Sequence, residues 1–154
     1  MAKNIWDKFD KAVDTKGLAD DVKNAAENGA NFKEVPHGDY EVKVEKMELT
    51  ESKSGKPMVT IWFKVVTGEY KGSMIFMNQV VEIGFQIHNA NEVLRGLAEQ
   101  VDGLDIRFET YNQYGNLIMD IFEAIDGNYE YALKFGENSK GYNTFEIAEV
   151  YELE

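Results

Sequence analysis

A chain of 154 residues, 44% hydrophobic and 12% aromatic, is long enough for one domain with a buried core, and its composition is globular rather than disordered. It contains no cysteine, which excludes disulfide scaffolds, thiolate zinc sites and cysteine nucleophiles. The net charge of −12 weighs against a polyanionic partner, because phosphate affinity comes from Lys and Arg. That total is unevenly distributed, however. Residues 39–81 hold six Lys against six acids, while residues 82–154 hold four basic and fifteen acidic groups. A neutral segment with six lysines is able to present a basic face while the acidic half keeps the molecule in solution.

Along the sequence, Ile5, Trp6, Phe9 and Val13 recur three to four apart, one face of a short amphipathic helix. A second weak helix follows over about 17–28, with Leu18, Val22, Ala25 and Ala26, closed by Asn28-Gly29. Residues 1–35 are therefore expected to form an N-terminal helical arm, docked on the next domain or serving as a detachable contact for another subunit or partner. After Pro36-His37-Gly38 the period changes to two. Tyr40, Val42 and Val44 alternate with Glu41, Lys43 and Glu45, and the phase slips at Lys46, since Met47 and Leu49 are the next apolar pair. Such a slip within a strand predicts a β-bulge near Glu45–Lys46. A second strand is predicted over about 58–66, and Gly68–Gly72 bounds a hairpin loop before a third strand at about 73–81.

The stripe Ala90, Val93, Leu94, Leu97, Ala98 and Val101 predicts a helix over 85–101, ended by Asp102-Gly103. Leu117, Ile118, Ile121, Phe122 and Ile125 predict another over about 114–125. Two strands, about 128–136 and 142–153, complete the pattern. Three strands, a helical insert at about 84–126 and two more strands match a mainly β fold: a five-stranded antiparallel OB-like barrel over residues 36–154.

Catalytic chemistry has little to build on. His37 lies in a turn and His88 within a helix. Asp102/Asp105 and Asp120/Glu123 are carboxylate pairs that an acid-rich half supplies by chance. No phosphate-binding glycine loop, nucleophile elbow or H-E-x-x-H pattern is present. Neither an enzyme, a metal nor a cofactor is expected. Binding to a single strand has more support. Such barrels stack bases on aromatics while cations follow the backbone, and one register of the second strand reads Met58, Thr60, Trp62, Lys64. Lys53 and Lys56 in the preceding loop, Lys43 and Lys46 on the first strand, and Tyr70 and Lys71 in the hairpin are candidates to border the same surface. The competing reading packs Trp62 beneath the arm or in a dimer interface.

The stretch from Phe32 to Leu49, with Gly55-Lys-Pro-Met-Val-Thr-Ile-Trp-Phe-Lys-Val, Gly68-Glu-Tyr-Lys-Gly, Phe76-Met-Asn-Gln and Gly84-Phe-Gln-Ile-His-Asn-Ala-Asn-Glu-Val-Leu-Arg, resembles a family of phage and prophage proteins. That family, of formally unknown function, belongs to the replication and recombination gene clusters of phages infecting Gram-positive bacteria. The resemblance spans about residues 30–153 and is most specific in 36–94. It implies an OB-like barrel that binds single-stranded DNA in the bacterial host cytoplasm, with phage or host replication and recombination proteins as further partners and a homo-oligomer as an allowed state. It carries over no binding residues. Many bacterial single-strand binders end in an acidic recruiting tail, whereas Glu149-Val-Tyr-Glu-Leu-Glu154 reads as strand, so that mode of recruitment is not expected. The alternative function is an acidic protein-interaction module or an inhibitor of a host nucleic-acid enzyme. No apolar run approaches the roughly 20 residues of a bilayer span, and no signal peptide is read, so no membrane partner is expected.

Overall fold

Period-two alternation from residue 39 onward is realised as a long first strand in a computed structural model, which describes residues 35–153. The expected helical arm lies outside the described residues. Five strands and two helices follow one another: β1 (Gly38–Glu51), β2 (Pro57–Val65), β3 (Met74–Val80), α1 (Gly84–Leu97), α2 (Tyr111–Ile125), β4 (Tyr129–Glu137) and β5 (Asn143–Glu152). All strand pairings are antiparallel, in the order β3-β2-β1-β4-β5. β1 buries Val42, Val44 and Met47. Its register against β2 shifts between Val44 and Lys46, so exposed Glu45 is the extra residue that keeps Met47 inward after two inward positions at even numbers. Beyond its pairing with β2, the first part of β1 also pairs with β4, from Gly38↔Phe135 to Val42↔Tyr131. One bent strand thus serves two neighbours.

The sheet is open. Among the described residues no ladder joins β3 to β5, so the expected closed barrel is not formed. The sheet is nonetheless strongly curled. Phe63 on β2 and Phe145 on β5 stand three strands apart, about 14 Å in a flat sheet, yet their rings stack with centroids 6.2 Å apart. Phe135 on β4 stacks on Phe145 at 5.5 Å.

Both helices cover the concave side. α1 buries Ala90, Val93, Leu94 and Leu97, and α2 buries Tyr114, Leu117, Ile118, Ile121 and Ile125. Gly96 brings α1 close to β5: a Cβ there would lie 2.7 Å from the Ile147 side chain. Thr110 caps α2 by accepting from the Gln113 N–H at 3.1 Å. The polar groups inside are paired. The Tyr114 hydroxyl donates to Asn91 Oδ1 at 2.6 Å, joining the two helices, and the Tyr131 hydroxyl donates to the Leu97 carbonyl at 2.7 Å.

Burial pushes the Tyr114 hydroxyl up to about 12, and burial also raises Tyr131, with the neighbouring Tyr129 adding to the effect. The folded state therefore holds these protons more tightly than the unfolded chain does. Their stabilisation is intact below the ordinary tyrosine range near 10 and is lost as pH rises through the folded values. Urea midpoints are expected to fall steeply between pH 10 and about 12, and Tyr114→Phe should remove part of that fall. A midpoint that stays level across this interval would contradict the two buried hydroxyls.

Candidate nucleic-acid interface

Side chains that point away from the core on β1, β2 and β3 fall into rows, because the ladders set residues directly opposite one another. The first row is Lys43, Lys64 and Met74, and the second is Lys46, Trp62 and Phe76. The third is Glu48, Thr60 and Asn78, where the Thr60 hydroxyl donates to Asn78 Oδ1 at 3.0 Å. In the middle row the Lys46 ammonium lies 4.7 Å from the Trp62 ring centroid. Phe76 meets Trp62 edge-on at 5.5 Å and is 46% exposed. An aromatic step of two rings, flanked by lysines, therefore crosses β2 and β3 on the outer face.

Two lysines directly opposite across a ladder repel one another, and Lys43 faces Lys64 in this way. Lys43 is offset by Glu45 at 3.4 Å, and Lys46 by Glu48 at 3.3 Å. Lys64 and Lys71 have no ion pair among the described residues. They line, with Lys43 and Gly72, an open cleft of about 510 Å³ at the end of the rows, and Glu130 forms its far wall. Gly68 and Gly72, with φ of 81° and 90°, shape the loop that carries Lys71 into place.

The remaining candidates stand apart. Lys53 and Lys56 occupy the turn at the opposite end of β2, about 20 Å from Trp62 along the strand. Tyr70 turns inward: it is partly buried and meets Tyr40 edge-on at 6.0 Å, on the core side of β1. Sequence reasoning missed Phe76. Its signal was present in the alternation Met74, Phe76, Asn78, but only the β2–β3 register sets it beside Trp62.

Across β4 and β5 the same outer face changes sign. Glu130, Glu146 and Glu149 share it with Lys134 and Tyr151. Tyr151 donates to Glu149 Oε2 at 2.8 Å; this bond, partial burial and the charges of Glu149 and Glu41 raise its hydroxyl above the usual range. The charge asymmetry of the sequence is thus laid out side by side on one sheet.

The histidines have no place on this surface. His37 Nε2 lies 2.9 Å from Asn143 Oδ1 and the ring packs edge-on against Phe135, tying the start of β1 to the β4–β5 hairpin. His88 is exposed on α1. Asp105 pairs with Arg107 at 3.3 Å, and among the described residues no three acidic or histidine side chains gather as a metal site.

The sequence profile of a family described as "Protein of unknown function (DUF669)" matches residues 20–119. The chain belongs to the DUF669 family. The matched segment contains all of β1, β2, β3 and α1, and so every residue of the lysine and aromatic rows. No match is found among curated proteins. In this DUF669 member, no helix of the described residues is long and apolar enough to cross a membrane.

Proposed function

We propose that this DUF669 protein binds single-stranded DNA without strong sequence preference, in the replication or recombination of a phage, and acts by binding rather than catalysis. The observation that carries this reading is the row Lys46–Trp62–Phe76, bordered by the cations Lys64 and Lys71. Bases stack on such rings irrespective of sequence, while cations follow the phosphates. Lys46 lies over Trp62, so a base stacking there displaces the ammonium towards a neighbouring phosphate; Phe76 is open to a base without rearrangement. The strand order supports an OB-like reading. It is the order of a five-stranded OB barrel that is parted between β3 and β5, with a helix after β3, and in that fold the face of strands two and three is the usual oligonucleotide platform.

Titrating fluorescein-labelled oligo-dT at two salt concentrations tests the proposal. Affinity should fall as salt rises, and replacing Lys64 and Lys71 together by Gln should flatten the log–log slope by about 1.4, or 0.7 for each phosphate no longer neutralised. Binding that ignores salt, or a double variant with an unchanged slope, would remove these lysines from the interface. The acidic outer face of β4 and β5 favours one second reading, an interaction module for a basic protein. That reading predicts no oligo-dT binding at any salt concentration.

A further inference from the structure

An open sheet has two edges, and here they differ in chemistry. β5 carries Glu146, Glu149 and Glu152, and its ladder with β4 is interrupted by a bulge opposite Ala132 and Leu133. Antiparallel pairing of β5 with a second β5 would crowd carboxylates, and charges and bulges are how edge strands avoid such pairing. β3 has neither defence. Its seven residues, Met-Ile-Phe-Met-Asn-Gln-Val, include no charge and no proline, and β2 is its only partner strand among the described residues.

Backbone direction can be followed along this edge. Val65 N–H donates to the Ser73 carbonyl and Val81 N–H to the Pro57 carbonyl, each at 2.9 Å, at the two ends of the β2–β3 ladder. Alternation between them turns the backbone groups of Ile75, Met77 and Gln79 towards β2, and those of Met74, Phe76, Asn78 and Val80 outwards. The Val80 carbonyl accepts from the Gln79 side chain at 2.9 Å. The outward groups of Met74, Phe76 and Asn78 remain a template for another strand.

From this asymmetry we infer that β3 is a self-association edge, pairing antiparallel with β3 of a second copy. A two-fold axis at Met77 overlaps the whole strand, sets Phe76 of one copy opposite Asn78 of the other, and opposes no charges. It also makes the outer faces of the two sheets continuous, so two aromatic steps lie side by side on a ten-stranded surface while the acidic β4–β5 halves stay at the far ends. The second copy is favoured over a foreign strand because the uncharged β3 sequence is compatible with itself in antiparallel register, whereas the β5 edge of the same sheet carries Glu146, Glu149 and Glu152. The interface is small, so the affinity should be roughly micromolar or weaker. The inference deepens the DNA-binding reading by doubling its platform, yet association is measured without DNA, so either can fail alone.

Sedimentation equilibrium of the full chain over roughly 10–500 µM, a range suited to small interfaces, should show a two-chain species. Asn78→Pro removes one outward N–H without touching the β2 ladder, a substitution that edge strands tolerate, and it should weaken association at least tenfold. Asn78→Lys combined with Val80→Lys should do the same. Hydrogen exchange on the unmodified protein needs no variant: protection of the Met74, Phe76 and Asn78 amides should rise with protein concentration. A chain that stays single throughout the range would overturn the inference and leave the edge to a foreign strand. A dimer whose edge amides gain no protection would overturn it equally.

Discussion

Replacing Phe63 with alanine should destabilise the protein by about 3–5 kcal/mol, the usual cost of emptying an aromatic site in a core. Phe63 has no exposed surface and lies between β2 and the stacked ring of Phe145. That stack is the direct contact between strands that a flat sheet would hold far apart, so the variant also removes support for the curl. Chemical denaturation should show a large drop in midpoint, and near-ultraviolet circular dichroism should report loosened aromatic packing. A cost below about 1.5 kcal/mol, the scale of a minor volume change, would mean that the curled arrangement does not depend on this stack.

Its neighbour in sequence should behave in the opposite way. Trp62 points to the outer face, partly exposed, where it meets Phe76 and Lys46 rather than the core. Trp62→Ala should therefore fold, losing roughly 0.5–1.5 kcal/mol with the aromatic pair, while oligo-dT binding weakens about tenfold or more, in keeping with 1–3 kcal/mol for each stacked base. Phe76→Ala should show the same pattern. An unfolded Trp62→Ala would make Trp62 a structural residue, and a folded variant with undiminished affinity would move any DNA elsewhere. Titrations that follow tryptophan emission need Trp6 replaced first.

Much of this architecture is visible in the order of apolar residues. Alternation alone predicts β1, its bulge and the strands on either side of it, because the slip from Val44 to Met47 has no other outlet in a strand with one buried face. Helix limits are less legible. The apolar stripe begins α2 near residue 114, but capping by Thr110 starts it at Tyr111. α1 ends at Leu97 rather than at Val101, with Val101 N–H bonded back to the Ala98 carbonyl in a turn. Whether the sheet closes is not written in any alternation, since closure depends on hydrogen bonds between edges distant in sequence.

The candidate surface was legible in the same proportion. Trp62, Lys64, Lys43 and Lys46 share a face because parity and the bulge dictate it. Tyr70 could not be placed by parity, because a loop residue has none, and the packing of its ring on Tyr40 decides the matter. Phe76 required the pairing of two strands across a glycine-bounded loop, which is information about three-dimensional register rather than composition.

The double pairing of β1 also sets a timetable for synthesis and folding. β1, β2 and β3 are joined by short turns and can assemble as soon as they leave the ribosome, since local contacts form first and distant ones wait for the chain. The other side of β1 waits for β4, whose Phe135 and Tyr131 meet Gly38 and Val42 only after both helices have been made. The lysine and aromatic rows thus belong to the early meander, and the acidic flank arrives last. During that interval the nascent chain displays the near-neutral part of its charge without its counterweight, and the unpaired start of β1 is guarded by Asp39 and Glu41 until its late partner arrives.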